Sequence, residues 1–199
     1  MTARQFILKS IYPVFQLINK IFKMNMQVNN SGIKANASFY DLEMKQNTGE
    51  VMKFQTLKNK KVLVVNTASD CGYTSQYDGL QKLYNENKED LVVLAFPAND
   101  FGQQEKKDDN AIEEFCRVNY GVTFPVMSKS IVVKSREQNE VFSWLTDKVK
   151  NGWNEDAPSW NFCKYLVDEK GNLTHIFAAA IEPSDDKILD AIKEKADLE

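Results

Sequence analysis

The chain has 199 residues, 43% hydrophobic and 27% charged, with a formal net charge of -3. That length suits one domain with a substantial core, or one domain plus an appendage, in an ordinary soluble composition. The mild acidity, with no basic stripe carrying interleaved aromatics in the body of the chain, argues against nucleic acid as a partner.

Three cysteines make an odd number, which does not fit a secreted disulfide framework, so a cytoplasmic location is the expectation. Cys71, Cys116 and Cys163 have no Cys-x2-Cys spacing and His175 is the sole histidine, so no metal site is expected. His175 itself reads as a surface or strand residue.

From Met1 to Tyr40 there is no acidic residue. Ile7, Ile11, Val14, Phe15, Ile18 and Phe22 recur at helical spacing, with Lys9, Gln16, Lys20 and Lys23 mostly opposite. The expectation over 1–25 is a basic amphipathic helix, kinked or restarted at Pro13. It is too interrupted by charge to span a bilayer. Membrane-surface contact, N-terminal targeting and packing on protein are its alternative roles. Residues 26–37 read as a polar linker, and 38–199 as the domain.

Phe39–Met44 and Val51–Phe54 flank Asn47-Thr48-Gly49-Glu50, the pattern of a short hairpin. Lys61–Ala68 is a valine-rich buried strand. A helix capped by Ser75 runs to about Asn87, and Asp90–Pro97 is a second continuous apolar strand. Strand, helix, strand at this spacing predicts a right-handed parallel crossover. Asn110 is placed to cap a helix carrying Ile112, Phe115, Cys116 and Val118, with a stop at Gly121. A short strand over 130–133 and a helix over 137–150 follow. A hairpin of Phe162–Val167 and Leu173–Phe177 and a closing helix with Ile188, Leu189 and Ile192 complete the chain. The expected class is α/β, with a mixed central sheet flanked by helices.

Three stretches carry chemistry. Val62–Val65 delivers Cys71 through a small-residue turn to the mouth of a helix. There, free backbone N–H groups and the positive end of the dipole favour a thiolate. Phe96-Pro97-Ala98-Asn99-Asp100-Phe101-Gly102-Gln103-Gln104-Glu105 leaves the carboxyl end of the second buried strand, where α/β sites form. Trp160-Asn161-Phe162 precedes the late hairpin. Carboxamides and an indole N–H donate without acid–base liability, which suits a thiolate that attacks peroxide. Singly, Cys71 reads as core filler, Gln104 as a solvated amide and Trp160 as a core aromatic. Together they lie at strand ends that one sheet edge can gather.

Asn66-Thr67-Ala68-Ser69-Asp70-Cys71-Gly72-Tyr73-Thr74, the Phe96–Glu105 block and Trp160-Asn161-Phe162-Cys163-Lys164-Tyr165-Leu166 resemble, in order and spacing, the signature blocks of the glutathione peroxidase family. Asn119-Tyr120-Gly121-Val122-Thr123-Phe124-Pro125 is a further similar block. The resemblance implies a thioredoxin-like fold and a catalytic tetrad of Cys71, Gln104, Trp160 and Asn161. It implies a cysteine-dependent, non-selenium branch, with Cys116 where thioredoxin-dependent members have their resolving cysteine. Ala98, Asp100 and Lys106-Lys107 depart from the usual pattern, and neither the tetramer-building loop nor glutathione-selecting arginines have a counterpart.

The implied function is a thiol peroxidase that reduces hydrogen peroxide and organic or lipid hydroperoxides. It passes through a Cys71 sulfenic acid and a Cys71–Cys116 disulfide and is recycled by thioredoxin or glutathione, as monomer or dimer, with no cofactor beyond the external thiol. The disulfide needs local unwinding of the Cys116 helix, because bridged Cα atoms lie within about 7 Å. Cys163 reads as core filler. A peroxide sensor or redox relay and a thiol–disulfide oxidoreductase on the same fold are the alternatives, although Cys71-Gly72-Tyr73-Thr74 is not a Cys-x-x-Cys motif.

Overall fold

The computed structural model describes residues 26–194; the expected basic helix over 1–25 lies outside them. Two continuous apolar strands, β4 (Lys61–Thr67) and β5 (Leu91–Pro97), pair in parallel from Lys61↔Leu91 to Thr67↔Pro97. Every residue of both is buried, as their unbroken hydrophobic runs require of strands covered on both faces. Helix α1 (Gln76–Glu86) connects them and packs on β5.

Strand β6 (Lys164–Val167) pairs antiparallel with β4, and β7 (Leu173–Phe177) antiparallel with β6. The sheet is completed by β1 (Gln27–Val28) on β7, giving the order β1-β7-β6-β4-β5. Residues 26–37, expected as a linker, are held on the domain. Besides β1, the Ala35 N–H donates to Asn172 Oδ1, the Asn36 and Ala37 N–H groups to the Lys150 carbonyl, and Trp144 Nε1–H to the Ala37 carbonyl. A polar composition does not show where backbone donors find partners, and here they find the domain.

The strands β2 (Glu43–Lys45) and β3 (Val51–Lys53) form the predicted hairpin, shortened because Phe39–Asp41 is a single helical turn. Helix α2 (Asp109–Tyr120) is capped by Asp108, whose carboxylate accepts from the Ala111 N–H, rather than by Asn110. It ends at Gly121, whose φ of 58° is the left-handed stop that glycine adopts freely.

The expected strand over 130–133 is only an isolated bridge, Ile131↔Gln138. The expected single helix over 137–150 is two, α3 (Glu140–Leu145) and α4 (Lys148–Asn151), because Asp147 starts a new cap by accepting from the Val149 N–H. Helix α5 (Asp186–Lys193) closes the chain.

Side chains alternate across β6. Tyr165 meets Phe142 of α3, ring centroids 5.8 Å apart, while Lys164 meets Gln76 of α1. Helices α1 and α3 therefore cover opposite faces of the sheet. His175 lies within β7, buried and stacked on Phe177, so it is a strand residue and not a surface one. Among the described residues no helix is long and apolar enough to cross a membrane.

Candidate active site

Parallel β4 and β5 end on the same edge of the sheet, and β6, antiparallel to β4, begins there. This polarity brings together the loop after β4 with Cys71, the loop after β5 with Gln104, and the segment before β6 with Trp160 and Asn161.

Cys71 is buried, only 8% exposed. Its turn is tightly tied: Thr74 Oγ1 accepts from the Cys71 N–H at 3.1 Å, lies 2.9 Å from the Ala68 carbonyl and 2.8 Å from that of Cys71. The Tyr73 N–H points at Cys71 Sγ, 3.4 Å away. A backbone donor aimed at sulfur from the turn entering α1 favours negative charge there. Ser75, expected as the α1 cap, makes no side-chain capping bond, since its own backbone is already helical. The ends of the preceding turn are joined instead by Gln76 N–H to the Tyr73 carbonyl and Tyr77 N–H to that of Thr74.

Asn161 is fully buried, and its Nδ2 donates to Gln104 Oε1 at 3.0 Å. This contact turns the Gln104 amide oxygen toward Asn161, so Gln104 presents its Nε2 donor elsewhere. The Gln104 carbonyl accepts from the Asp70 N–H at 3.0 Å, next to Cys71. Trp160 is half-buried beside Phe101, centroids 5.8 Å apart, and its Nε1 is shielded from solvent. Asn66, at the end of β4, grips the Trp160 carbonyl with Nδ2 at 2.9 Å and accepts from the Phe162 N–H at 2.6 Å.

Two non-glycine residues with left-handed backbone flank the amides: Gln103 (φ 52°) and Phe162 (φ 69°). Each costs about 1–3 kcal/mol and persists only where the surroundings over-determine it. For Phe162 they do so through the Asn66 bond and a fully buried ring packed edge-on against Tyr77 at 5.5 Å.

Sequence reasoning assigned no role to Glu105. It is fully buried, and its Oε2 accepts from the Ser69 N–H at 2.8 Å and the Ser69 hydroxyl at 2.7 Å. Burial raises its pKa above the usual carboxylate value, opposed by those two bonds and by Lys107. The clamp fastens the Cys71 loop to the Gln104 loop. A carboxylate after an apolar strand was visible in the sequence, but its burial was not. Lys107, one of the unusual pair, lies 3.8 Å from Asp70 and 4.9 Å over the Phe115 ring, touching the neighbour of each of two cysteines.

Cys116 does not join this edge as a ready partner. It is 2% exposed in the interior of α2. Burial pushes its thiol up to about 11; the Tyr77 hydroxyl beside it opposes the shift, and Glu105 and Glu113 add to it. Cys163 is buried, with Sγ 3.7 Å from Ser159 Oγ, on the wall of a cavity of about 480 Å³ that neither Cys71 nor Gln104 lines. Among the described residues, no group of three or more His, Cys, Asp or Glu side chains converges as a metal site.

A sequence model described as glutathione peroxidase matches residues 39–146, more than half of the chain. The chain belongs to the glutathione peroxidase family. It is 45% identical over 148 residues to glutathione peroxidase-like peroxiredoxin 2 of Saccharomyces cerevisiae, covering 74% of this chain and 91% of that protein. It is 44% identical over 163 residues to glutathione peroxidase-like peroxiredoxin GPX5 of Chlamydomonas reinhardtii, covering 79% and 99%. The crystal structure of Trgpx in apo form superposes with a TM-score of 0.61 at 36% identity, over 82% of this chain and all of that one. A DsbF homologue from Corynebacterium diphtheriae, at 16% identity and a TM-score of 0.62, shares the thioredoxin-like fold alone. This family member is thus a peroxidase-type oxidoreductase carrying cysteine at position 71.

Proposed function

We propose that Cys71 is the peroxidatic thiol of a hydroperoxide reductase. The observation that carries this reading is the Tyr73 N–H aimed at Cys71 Sγ in a turn bonded directly to the Gln104 loop. The Cys71 thiolate attacks the O–O bond of hydrogen peroxide or an organic hydroperoxide. It forms a sulfenic acid, while the departing oxygen takes a proton and leaves as water or an alcohol. Gln104 Nε2 and the Trp160 indole N–H donate to the charge shifting from sulfur to oxygen. Asn161, through its bond to Gln104 Oε1, keeps that amide turned the right way. No metal, selenium or other cofactor enters the scheme.

The Cys116 thiol then condenses with the sulfenic acid, giving a disulfide and water. A dithiol protein of the thioredoxin kind reduces the bridge through a mixed disulfide and is itself oxidised. The buried placement of Cys116 in α2 means that this helix must open between the two steps, since the thiol has to leave its contact with Tyr77.

Hydroperoxide-dependent NADPH oxidation in the presence of thioredoxin and its reductase is the test. Wild-type protein turns over, and Cys71→Ser falls to the uncatalysed rate. A Cys71→Ser variant that retains turnover overturns the mechanism, and full turnover with glutathione alone overturns the choice of reductant.

A further inference from the structure

A buried lysine stands behind the Cys71 turn. Lys164 begins β6 three residues beyond Asn161, and no part of it reaches solvent. Its Nζ donates to Gln76 Oε1 and to the Ile181 carbonyl, each at 2.5 Å, and lies 3.4 Å from the Ala179 carbonyl. Gln76 Nε2 donates to that same Ala179 carbonyl at 2.8 Å. Three oxygen acceptors match the three N–H groups of an ammonium, whereas a neutral amine would turn its lone pair on one of them. Burial lowers the Lys164 pKa to about 7, with nearby Cys163 and Glu182 opposing the shift. A cation this deep persists only when fully hydrogen-bonded. A plain apolar residue would fill the same strand position without that cost.

The bonds continue from the ammonium to the sulfur. Gln76 is the first residue of α1, and its N–H donates to the Tyr73 carbonyl at 2.9 Å. The Tyr73 N–H in turn points at Cys71 Sγ. The other oxygens around Lys164 belong to the turn before α5, so one side chain ties together the Cys71 helix, the strand leading from Trp160-Asn161 and the C-terminal segment.

We infer that Lys164 is a positioning residue for Cys71, holding Gln76 so that the first turn of α1 keeps the Tyr73 N–H trained on the sulfur. Lys164 touches neither sulfur nor peroxide in this scheme; it acts through Gln76. The inference rests on the reading of Cys71 as the reactive thiol.

Alkylation of Cys71 by iodoacetamide across a pH series, resolved from Cys116 and Cys163 by peptide mass spectrometry on the full chain, tests it without peroxide or reductant. Lys164→Met slows Cys71 alkylation at pH 7 about tenfold and moves its pH profile upward. Gln76→Leu does the same while leaving the lysine in place. The double variant is no slower than Lys164→Met alone, because both changes cut the same chain of bonds. Wild-type alkylation kinetics in either folded single variant overturn the inference, as do effects that multiply in the double variant. Should Lys164→Met fail to fold, Gln76→Leu decides alone. Wild-type Cys71 that alkylates no faster than it does in denaturant instead overturns the reading of Cys71 itself, and the inference with it.

Discussion

Cys71 and Cys116 are both buried cysteines, yet their surroundings differ in kind. Cys71 sits where a strand has ended and a helix has not begun, and there the backbone N–H of Tyr73 is directed at the sulfur. Cys116 sits in the interior of a helix, where backbone donors are spent on the helix itself, and burial pushes its thiol to about 11. Burial holds a thiol protonated, and a backbone N–H aimed at the sulfur acts in the opposite direction. The loops around Cys71 are also cross-tied by Ser69–Glu105, Asp70–Gln104 and Gln104–Asn161, whereas α2 carries an exposed Val118 on its outer side.

The sharpest way to break this contrast is Cys116→Ser. The first equivalent of hydroperoxide is still reduced, while steady-state turnover with thioredoxin stops, as read by burst and steady-state kinetics in one assay. Sustained cycling in that variant would remove Cys116 from the mechanism. Next in size is the reactivity of Cys116 itself. At pH 7 a thiol held at about 11 carries roughly 100-fold less thiolate than one at the ordinary 9.0. Maleimide labelling of reduced native protein is therefore expected to leave Cys116 at least about 10²-fold slower than in the denatured chain, followed by peptide mapping.

In the proposed mechanism Gln104→Leu removes a donor to the reacting oxygens, and it leaves the Asn161 Nδ2–H without the Gln104 Oε1 acceptor it now has. The second-order rate constant for hydroperoxide is expected to fall by roughly 10²-fold, with the circular dichroism spectrum unchanged.

The smallest effect concerns stability. Because the fold raises the Cys116 pKa, it favours the protonated thiol. That contribution is complete below the unfolded value of 9.0 and is lost as pH climbs to about 11. Two pH units correspond to about 3 kcal/mol. Urea unfolding should show this decline in wild type and a flatter profile in Cys116→Ala over the same range.

Much of this site is legible in the amino-acid sequence. The valine run of β4 and the leucine-valine run of β5 announce strands buried on both faces, because a solvent-facing side would interrupt such continuity with polar residues. Parallel pairing then forces Cys71 and Gln104 onto one edge. Local chemistry is less legible. Asp108 takes the cap expected of Asn110, and Asp147 breaks the helix expected to run from 137 to 150. Several side chains can compete for the same free N–H, and pattern alone does not rank them. Val149 follows Leu145 by four residues and would share its apolar face in one unbroken helix, but it is 71% exposed because the break turns it outward.

By itself, the sequence determined the order of the strands and helices, the blocks that mark the family and the helix mouth at which Cys71 sits. Those features depend on short-range pattern and chain polarity. Only the tertiary structure decided that Asn161 supports Gln104, that Glu105 and Lys164 are buried ties to the Cys71 loop and helix, and that Gln27–Val28 joins the sheet while residues 35–37 are held on the domain. Each of these is a contact between residues tens of positions apart or more, and a polar side chain looks the same in sequence whether water or a buried partner satisfies it.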